Sequence, residues 1–207
     1  MPTFYYSTHS CSIGIRVILE ELGLPYDDVR IDFRQREQFG EAFGAVNPKR
    51  KVPALVRGDG TLLTEFQAIA YWLARSNPAA HLFPDDLEAQ TRVLEAMDFM
   101  VASVHMRGFT FIIAPAKFSA SPEAQADLKA HGLAQVALGF ARLSEMLGDK
   151  TWLCGAFSIA DAALFYLTVW GHRNQIDLPA NLAAFHQRML DRPAVQTAMR
   201  REGLLAA

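Results

Sequence analysis

Apolar positions follow two regimes along the chain. Up to about residue 76, short apolar runs alternate with turn residues; beyond residue 86, apolar residues recur at helical spacing over long stretches. Phe4-Tyr5-Tyr6 predicts a short strand and Ser7-Thr8-His9-Ser10 a polar turn. Ile15, Ile18, Leu19 and Leu22 then share one helical face, which Gly23 and Pro25 close. Tyr26 to Asp32 alternates through Val29 and Ile31 as a second strand, giving a right-handed parallel unit. Arg34 to Ala45 is polar apart from Phe39 and Phe43, spaced for a short helix. Val52-Pro53-Ala54-Leu55-Val56 and Thr61-Leu62-Leu63 predict two strands around the turn Gly58-Asp59-Gly60, with Pro53 tolerated at a strand start. Thr64 is expected to cap a helix that turns Phe66, Ile69, Ala70 and Leu73 inward, with Gln67 completing a capping box.

Asn77-Pro78 through Pro84-Asp85-Asp86 predicts a linker, so the first domain is placed at residues 1–77 and an all-helical domain at 87–207. A long helix from Leu87 to about Ile113 ends before Pro115, and a second from Pro122 to Leu147 ends at Gly148, a spacing that suggests an antiparallel pair. Ser158-Ile159-Ala160-Asp161 places a cap hydroxyl three residues before a carboxylate, behind Phe157. It opens an apolar helix through Trp170 that is expected to form the centre of the second domain. Leu182 to Leu190 and Ala194 to Arg200 complete the set, with no strand expected past residue 90.

Composition narrows the function classes. The apolar fraction of 51% over 207 residues is enough for a sizeable core. Twenty Lys and Arg against 22 Asp and Glu leave no basic excess for nucleic acid. The start Met1 to Tyr6 reads as a strand and not as a signal peptide, and no uninterrupted apolar run of membrane-spanning length is seen, so a soluble, cytoplasmic protein is expected. Cys11 and Cys154 form no C-x-x-C pair; neither a metal site nor a disulfide framework is implied.

Cys11 lies where a turn enters a helix, a place whose backbone N–H groups and dipole favour a thiolate, although a free cysteine there equally serves as a small packing residue. Glu65 falls at the opening of a helix, where backbone N–H groups attract anions and an acidic side chain complements the dipole. Asp161 reads as a cap, and Cys154 as buried and inert.

Taken together, Cys11-Ser12, Val52-Pro53-Ala54-Leu55 with Thr64-Glu65, and Ser158-Ile159-Ala160-Asp161 resemble the glutathione transferase family over nearly the whole chain. Val104-His105-Met106-Arg107-Gly108-Phe109, Trp152-Leu153-Cys154-Gly155 and Arg192-Pro193-Ala194-Val195-Gln196 are most similar to its bacterial beta class. The resemblance implies a thioredoxin-like α/β domain followed by an all-α helical bundle. It also implies a homodimer and a detoxifying activity that conjugates glutathione, as co-substrate and without a resident cofactor, to small hydrophobic electrophiles.

The same resemblance assigns the sulfur region to Cys11, with Ser12, Ser10 and Tyr6 as alternative partners of the thiolate. It implies a cis bond between Val52 and Pro53 that presents the Val52 backbone to the cysteinyl part of glutathione. Lys51 is then expected near the glycyl carboxylate, Glu65 near the γ-glutamyl ammonium, and His105 at the domain interface. Phe66 stands where the family has serine or threonine, and Met106 where the closest relatives have lysine. Phe109, Phe111, Ile112 and Trp170 are expected to line a pocket for the second substrate between the domains, although aromatics at helical spacing are commonly core. Glutathione-dependent thiol–disulfide exchange or peroxidase chemistry through Cys11, and a non-catalytic binding scaffold, stay open as alternatives.

Overall fold

The computed structural model describes residues 1–205 and divides the chain into two compact units. The first comprises Met1–Phe83 and the segment from Met189 onward; the second is Pro84–Arg188. The sequence boundary placed 87–207 in one domain, but the segment from Met189 belongs with the first unit because its helix packs against the first helix of the chain.

Four strands form the sheet of the first unit: β1 (Thr3–Tyr6), β2 (Asp27–Arg30), β3 (Ala54–Val56) and β4 (Leu62–Thr64), in the order β2-β1-β3-β4. β1 runs parallel to β2 and antiparallel to β3, which pairs antiparallel with β4. Helix α1 (Ser12–Leu22) makes the parallel crossover, and Gly23 at φ 60° closes it in the left-handed conformation that glycine adopts without a Cβ penalty. β2 is shorter than its alternation suggested: it is an edge strand with all four residues exposed, while Tyr26 and Ile31, on either side, carry the burial.

The polar stretch after β2 divides at Gly40 into a single 3-10 turn and helix α2 (Glu41–Val46). Phe43 is buried against the Tyr5 ring, whereas Phe39 is exposed. Helix α3 (Phe66–Ser76) buries Ile69, Ala70 and Leu73 as the periodicity requires. The expected Thr64–Gln67 capping box is absent, because Thr64 is held in the β4 ladder opposite Ala54 and Glu65 becomes the residue before the helix.

In the second unit, the helix Leu87–Ile113 (α4) is continuous, but Phe99–Phe109 is wound as a π-helix; the Thr110 N–H reaches the His105 carbonyl five residues back. Its partner α5 (Pro122–Leu147) approaches closely at glycines: a Cβ on Gly132 would lie 2.8 Å from the Gly108 carbonyl oxygen. By length and composition α4 is apolar enough to cross a membrane, a weak sign that a helix packed into a protein core also gives.

Helix α6 (Ile159–Arg173) is the most buried element of this unit, with both halves of its capping box formed. Helix α7 (Ala180–Leu190) packs on it through His186, whose ring stacks on Phe165 at 5.6 Å. Helix α8 (Pro193–Arg201) then returns to α1 in the first unit. Among the described residues no strand follows β4.

Candidate functional site

The loop from Ser7 to Cys11 joins the end of β1 to the start of α1, and a serine network organises it. Ser12, fully buried, accepts from the Ser7 N–H at 3.3 Å and donates to the Ser7 carbonyl at 3.2 Å. Its hydroxyl also lies 2.6 Å from that of Ser10, and Ser10 in turn accepts from the Ser12 N–H at 3.2 Å. Ser12 is thereby occupied inside the loop, while Ser10 is only half-buried and presents the more accessible hydroxyl.

Cys11 immediately precedes α1, as the periodicity required, and it is buried there, 7% exposed. Burial pushes the Cys11 thiol up to about 12, and the charges of Glu65 and Glu202 push the same way; its own backbone hydrogen bond opposes them without prevailing. Desolvation of a thiolate outweighs the helix-end field, which is worth ~0.3–1 kcal/mol at exposed positions.

Tyr6 is also in the core, 8% exposed and stacked with Phe4 at 5.9 Å. The Arg16 guanidinium lies 4.0 Å from the centre of the Tyr6 ring, and burial raises the phenol above its ordinary value.

On the neighbouring strands, the Val52–Pro53 bond is cis and directly precedes β3. Lys51 is exposed, and its carbonyl accepts from the buried Asn47 side chain at 2.8 Å. Asn47 also accepts from the Lys49 N–H at 3.1 Å, so one side chain shapes the turn that leads to the Val-Pro pair. Nothing in the sequence beyond an Asn-Pro loop signal announced that role.

Glu65 sits at φ 70°, ψ 130°, a backbone region rarely used by residues other than glycine, and such strain collects at ligand sites. Helix α3 begins there without a side-chain cap, so its N-terminal end carries the partial positive charge of its amides. Lys49, absent from the residues expected at the site, donates to Glu65 at 2.8 Å and to the Thr64 hydroxyl at 2.9 Å. Phe66 is buried, 5% exposed, so the position that holds a hydroxyl in the resembling family is packed into the core here.

In the second unit, His105 is half-buried, with Nδ1 3.4 Å from the Tyr166 hydroxyl and its ring edge-on to Trp170 at 4.7 Å. Phe109 is fully buried, packed edge-on against Phe140 and Trp170, and Trp170 is 5% and Ile112 8% exposed. These three rank as core residues, a correction to their expected place in a substrate pocket. Phe111 is half-buried between Phe118 and His131.

Asp161 accepts from the N–H groups of Ser158 at 2.9 Å and Leu153 at 2.8 Å, the capping role read from the sequence. Cys154 is only half-buried, and its thiol is raised to about 11 by burial first and the Asp161 charge second. Among the described residues no group of three or more His, Cys, Asp or Glu side chains is placed to hold a metal ion.

The four-stranded thioredoxin-like sheet followed by a helical unit is the fold of solved glutathione transferases. Residues 10–76 match the family described as glutathione S-transferase, N-terminal domain, and residues 86–193 match glutathione S-transferase, C-terminal domain. The glutathione S-transferase GstA of Escherichia coli O157:H7 is 36% identical over 97% of this chain and 98% of its own length. The crystal structure of a glutathione transferase homologue from Sulfitobacter with bound glutathione superposes with a TM-score of 0.90 at 30% identity, covering 99% of both chains. A bacterial beta class glutathione S-transferase of Sphingomonas chungbukensis gives 0.86 at 32% identity, covering 98% of this chain and all of that one. The chain belongs to the glutathione S-transferase family.

Proposed function

We propose that the first unit binds glutathione and that the protein transfers its thiol to small hydrophobic electrophiles. The observation that carries the reading is the strained Glu65 at the uncapped start of α3, set in a chain whose solved relative from Sulfitobacter holds glutathione. The backbone N–H groups of the first α3 turn suit the γ-glutamyl carboxylate, and the Glu65 carboxylate suits the ligand's ammonium group, which then competes with Lys49. The Val52 backbone serves the cysteinyl part and Lys51 the glycyl carboxylate. Buried Phe66 offers no hydroxyl, which favours weak binding of glutathione.

With Cys11 protonated, the glutathione sulfur is served by the Ser10 hydroxyl and the N-terminal end of α1. The thiolate attacks an electrophilic carbon, a C–S bond forms, and the leaving group departs with its bonding electron pair. Glutathione is co-substrate, no resident cofactor takes part, and the protein works as a cytoplasmic homodimer. A raised Cys11 thiol disfavours disulfide exchange as the main activity.

Calorimetric titration with glutathione and S-hexylglutathione, followed by turnover of an aryl halide in wild type, Cys11→Ser and Ser10→Ala, tests this. Binding of both ligands, retained turnover in Cys11→Ser and a loss of tenfold or more in Ser10→Ala are expected. Absence of binding overturns the reading, and loss of turnover in Cys11→Ser returns the chemistry to the cysteine.

A further inference from the structure

Two histidines from different helices meet in the helical unit. His172 lies in the last turn of α6 and is exposed, while His186 lies in α7 and is half-buried. Their ring centres are 4.4 Å apart, with the planes inclined at 51°.

His186 is oriented from the core side. Its ring stacks on Phe165 at 5.6 Å, and its Nδ1 lies 2.8 Å from the Thr168 hydroxyl. Phe165 and Thr168 are both fully buried. The Thr168 hydroxyl donates its single proton to the Phe165 carbonyl at 2.8 Å, so toward the imidazole it acts as an acceptor. Nδ1 therefore carries the ring proton, and Nε2 keeps its lone pair, directed away from Thr168. Burial first and the His172 charge second push the His186 imidazole down to about 4, so the ring is neutral at neutral pH. A neutral imidazole whose Nδ1–H is fixed by a second group is the arrangement that stands behind metal-binding histidines.

Thr168 and His172 are one turn apart on α6, so His172 is the next side chain along the face on which His186 is seated. The turn between the two helices is fixed as well. The Ile176 N–H reaches the Gly171 carbonyl at 2.9 Å, and the Asn174 N–H and side-chain amide both reach the Trp170 carbonyl, at 3.0 and 2.8 Å. With metal–nitrogen bonds of about 2.1 Å, two imidazoles at right angles around one ion have ring centres about 4.5 Å apart, against about 5.2 Å at the tetrahedral angle. The observed separation matches the right angle, which belongs to tetragonal and octahedral ions.

We propose that His172 and His186 form a binding site for a divalent late transition ion, copper or nickel, which ties the end of α6 to α7. Among the described residues no group of three or more His, Cys, Asp or Glu gathers around an ion, so the protein supplies two ligands and water the rest. The site lies within the helical unit and does not rest on the glutathione reading.

Calorimetry with nickel chloride on the full chain at pH 7.5, without glutathione, tests the site; copper is avoided because it oxidises thiols. Saturable binding of one nickel ion per chain with micromolar affinity is expected, with none for magnesium, which prefers oxygen ligands. His172→Ala and His186→Ala, with folding checked by circular dichroism, are each expected to weaken nickel binding at least tenfold. Nickel is paramagnetic, so it is expected to broaden the imidazole NMR signals of His172 and His186 before those of the other four histidines. Before metal is added, nitrogen-15 NMR is expected to show His186 as the neutral Nδ1–H tautomer.

Unchanged affinity in either folded alanine variant overturns the proposal, as does saturation reached only at millimolar nickel or broadening that begins at another histidine. An Nε2–H tautomer of His186 also overturns it, because the proposed ligand atom would then hold a proton. His186→Ala removes a packed ring; if it does not fold, His172→Ala, a substitution at an exposed side chain, decides by the same measurements.

Discussion

Cys11 shows how a single side chain is governed by opposing fields. The α1 terminus stabilises a thiolate there, but a site 7% exposed removes the water a thiolate needs, and the Glu65 and Glu202 charges add repulsion. Cys154 is half-buried, and its thiol is raised less, to about 11, by burial and the Asp161 charge. Iodoacetamide labelling at pH 8, followed by mass spectrometry, is expected to modify Cys154 before Cys11; the reverse order would mean that Cys11 is ionised. The sequence located Cys11 correctly beside a helix start because that signal is local, but its burial depends on packing that no neighbouring residue reveals. Glu202 was invisible for the same reason, being joined to Arg16 only by the return of the last helix. It also predicts a pH dependence of stability. With its folded value near 7 and its ordinary value near 4.5, the folded state binds more protons between them, so its contribution is present at low pH and lost as pH rises through 7. Thermal melts from pH 5 to 8 are expected to show a fall that Glu202→Gln flattens, by about 3 kcal/mol at most from the size of the shift.

At the scale of elements, two helix starts contrast. The Ser158–Asp161 box formed as read, since cap, carboxylate and helix lie within one turn and need no distant partner. The Thr64–Gln67 box did not, because strand pairing with Ala54 claims Thr64 and shifts the helix start to Phe66. Local chemistry is legible until a long-range ladder competes for the same residue. The π-winding of Phe99–Phe109 was beyond periodicity analysis, which detects a helical apolar stripe without fixing its hydrogen-bond register. Asp161→Ala is expected to cost about 3 kcal/mol in denaturant unfolding, since it strands buried N–H groups of Ser158 and Leu153. Gly132→Ala is expected to cost about 1–3 kcal/mol, because the added methyl meets the Gly108 carbonyl, a backbone atom that cannot rotate away. A Gly132→Ala protein of wild-type stability would show that α4 and α5 separate readily.

Over the whole molecule, the division into a sheet unit and a helical unit was plain from the change in periodicity, while the membership of the last helix was not. Its amphipathic pattern shows that it buries a face without saying against which partner, and α1 turned out to be that partner. The same logic extends to the surface left over once each unit is folded. On α4, Leu94 is 40% and Met106 43% exposed, and on α5 Leu133 is 42% and Leu138 54% exposed. Apolar side chains exposed singly need no explanation, but several on the two longest helices of the helical unit favour coverage by a second copy. A homodimer is therefore expected, and sedimentation equilibrium at micromolar concentration should report twice the 23.0 kDa chain mass. Leu133→Glu with Leu138→Glu should move that mass toward the monomer while leaving the far-ultraviolet spectrum intact, because both side chains already face solvent in the isolated chain. A wild-type chain that sediments only as monomer refutes the dimer; a doubly substituted chain that stays dimeric places the interface on other residues.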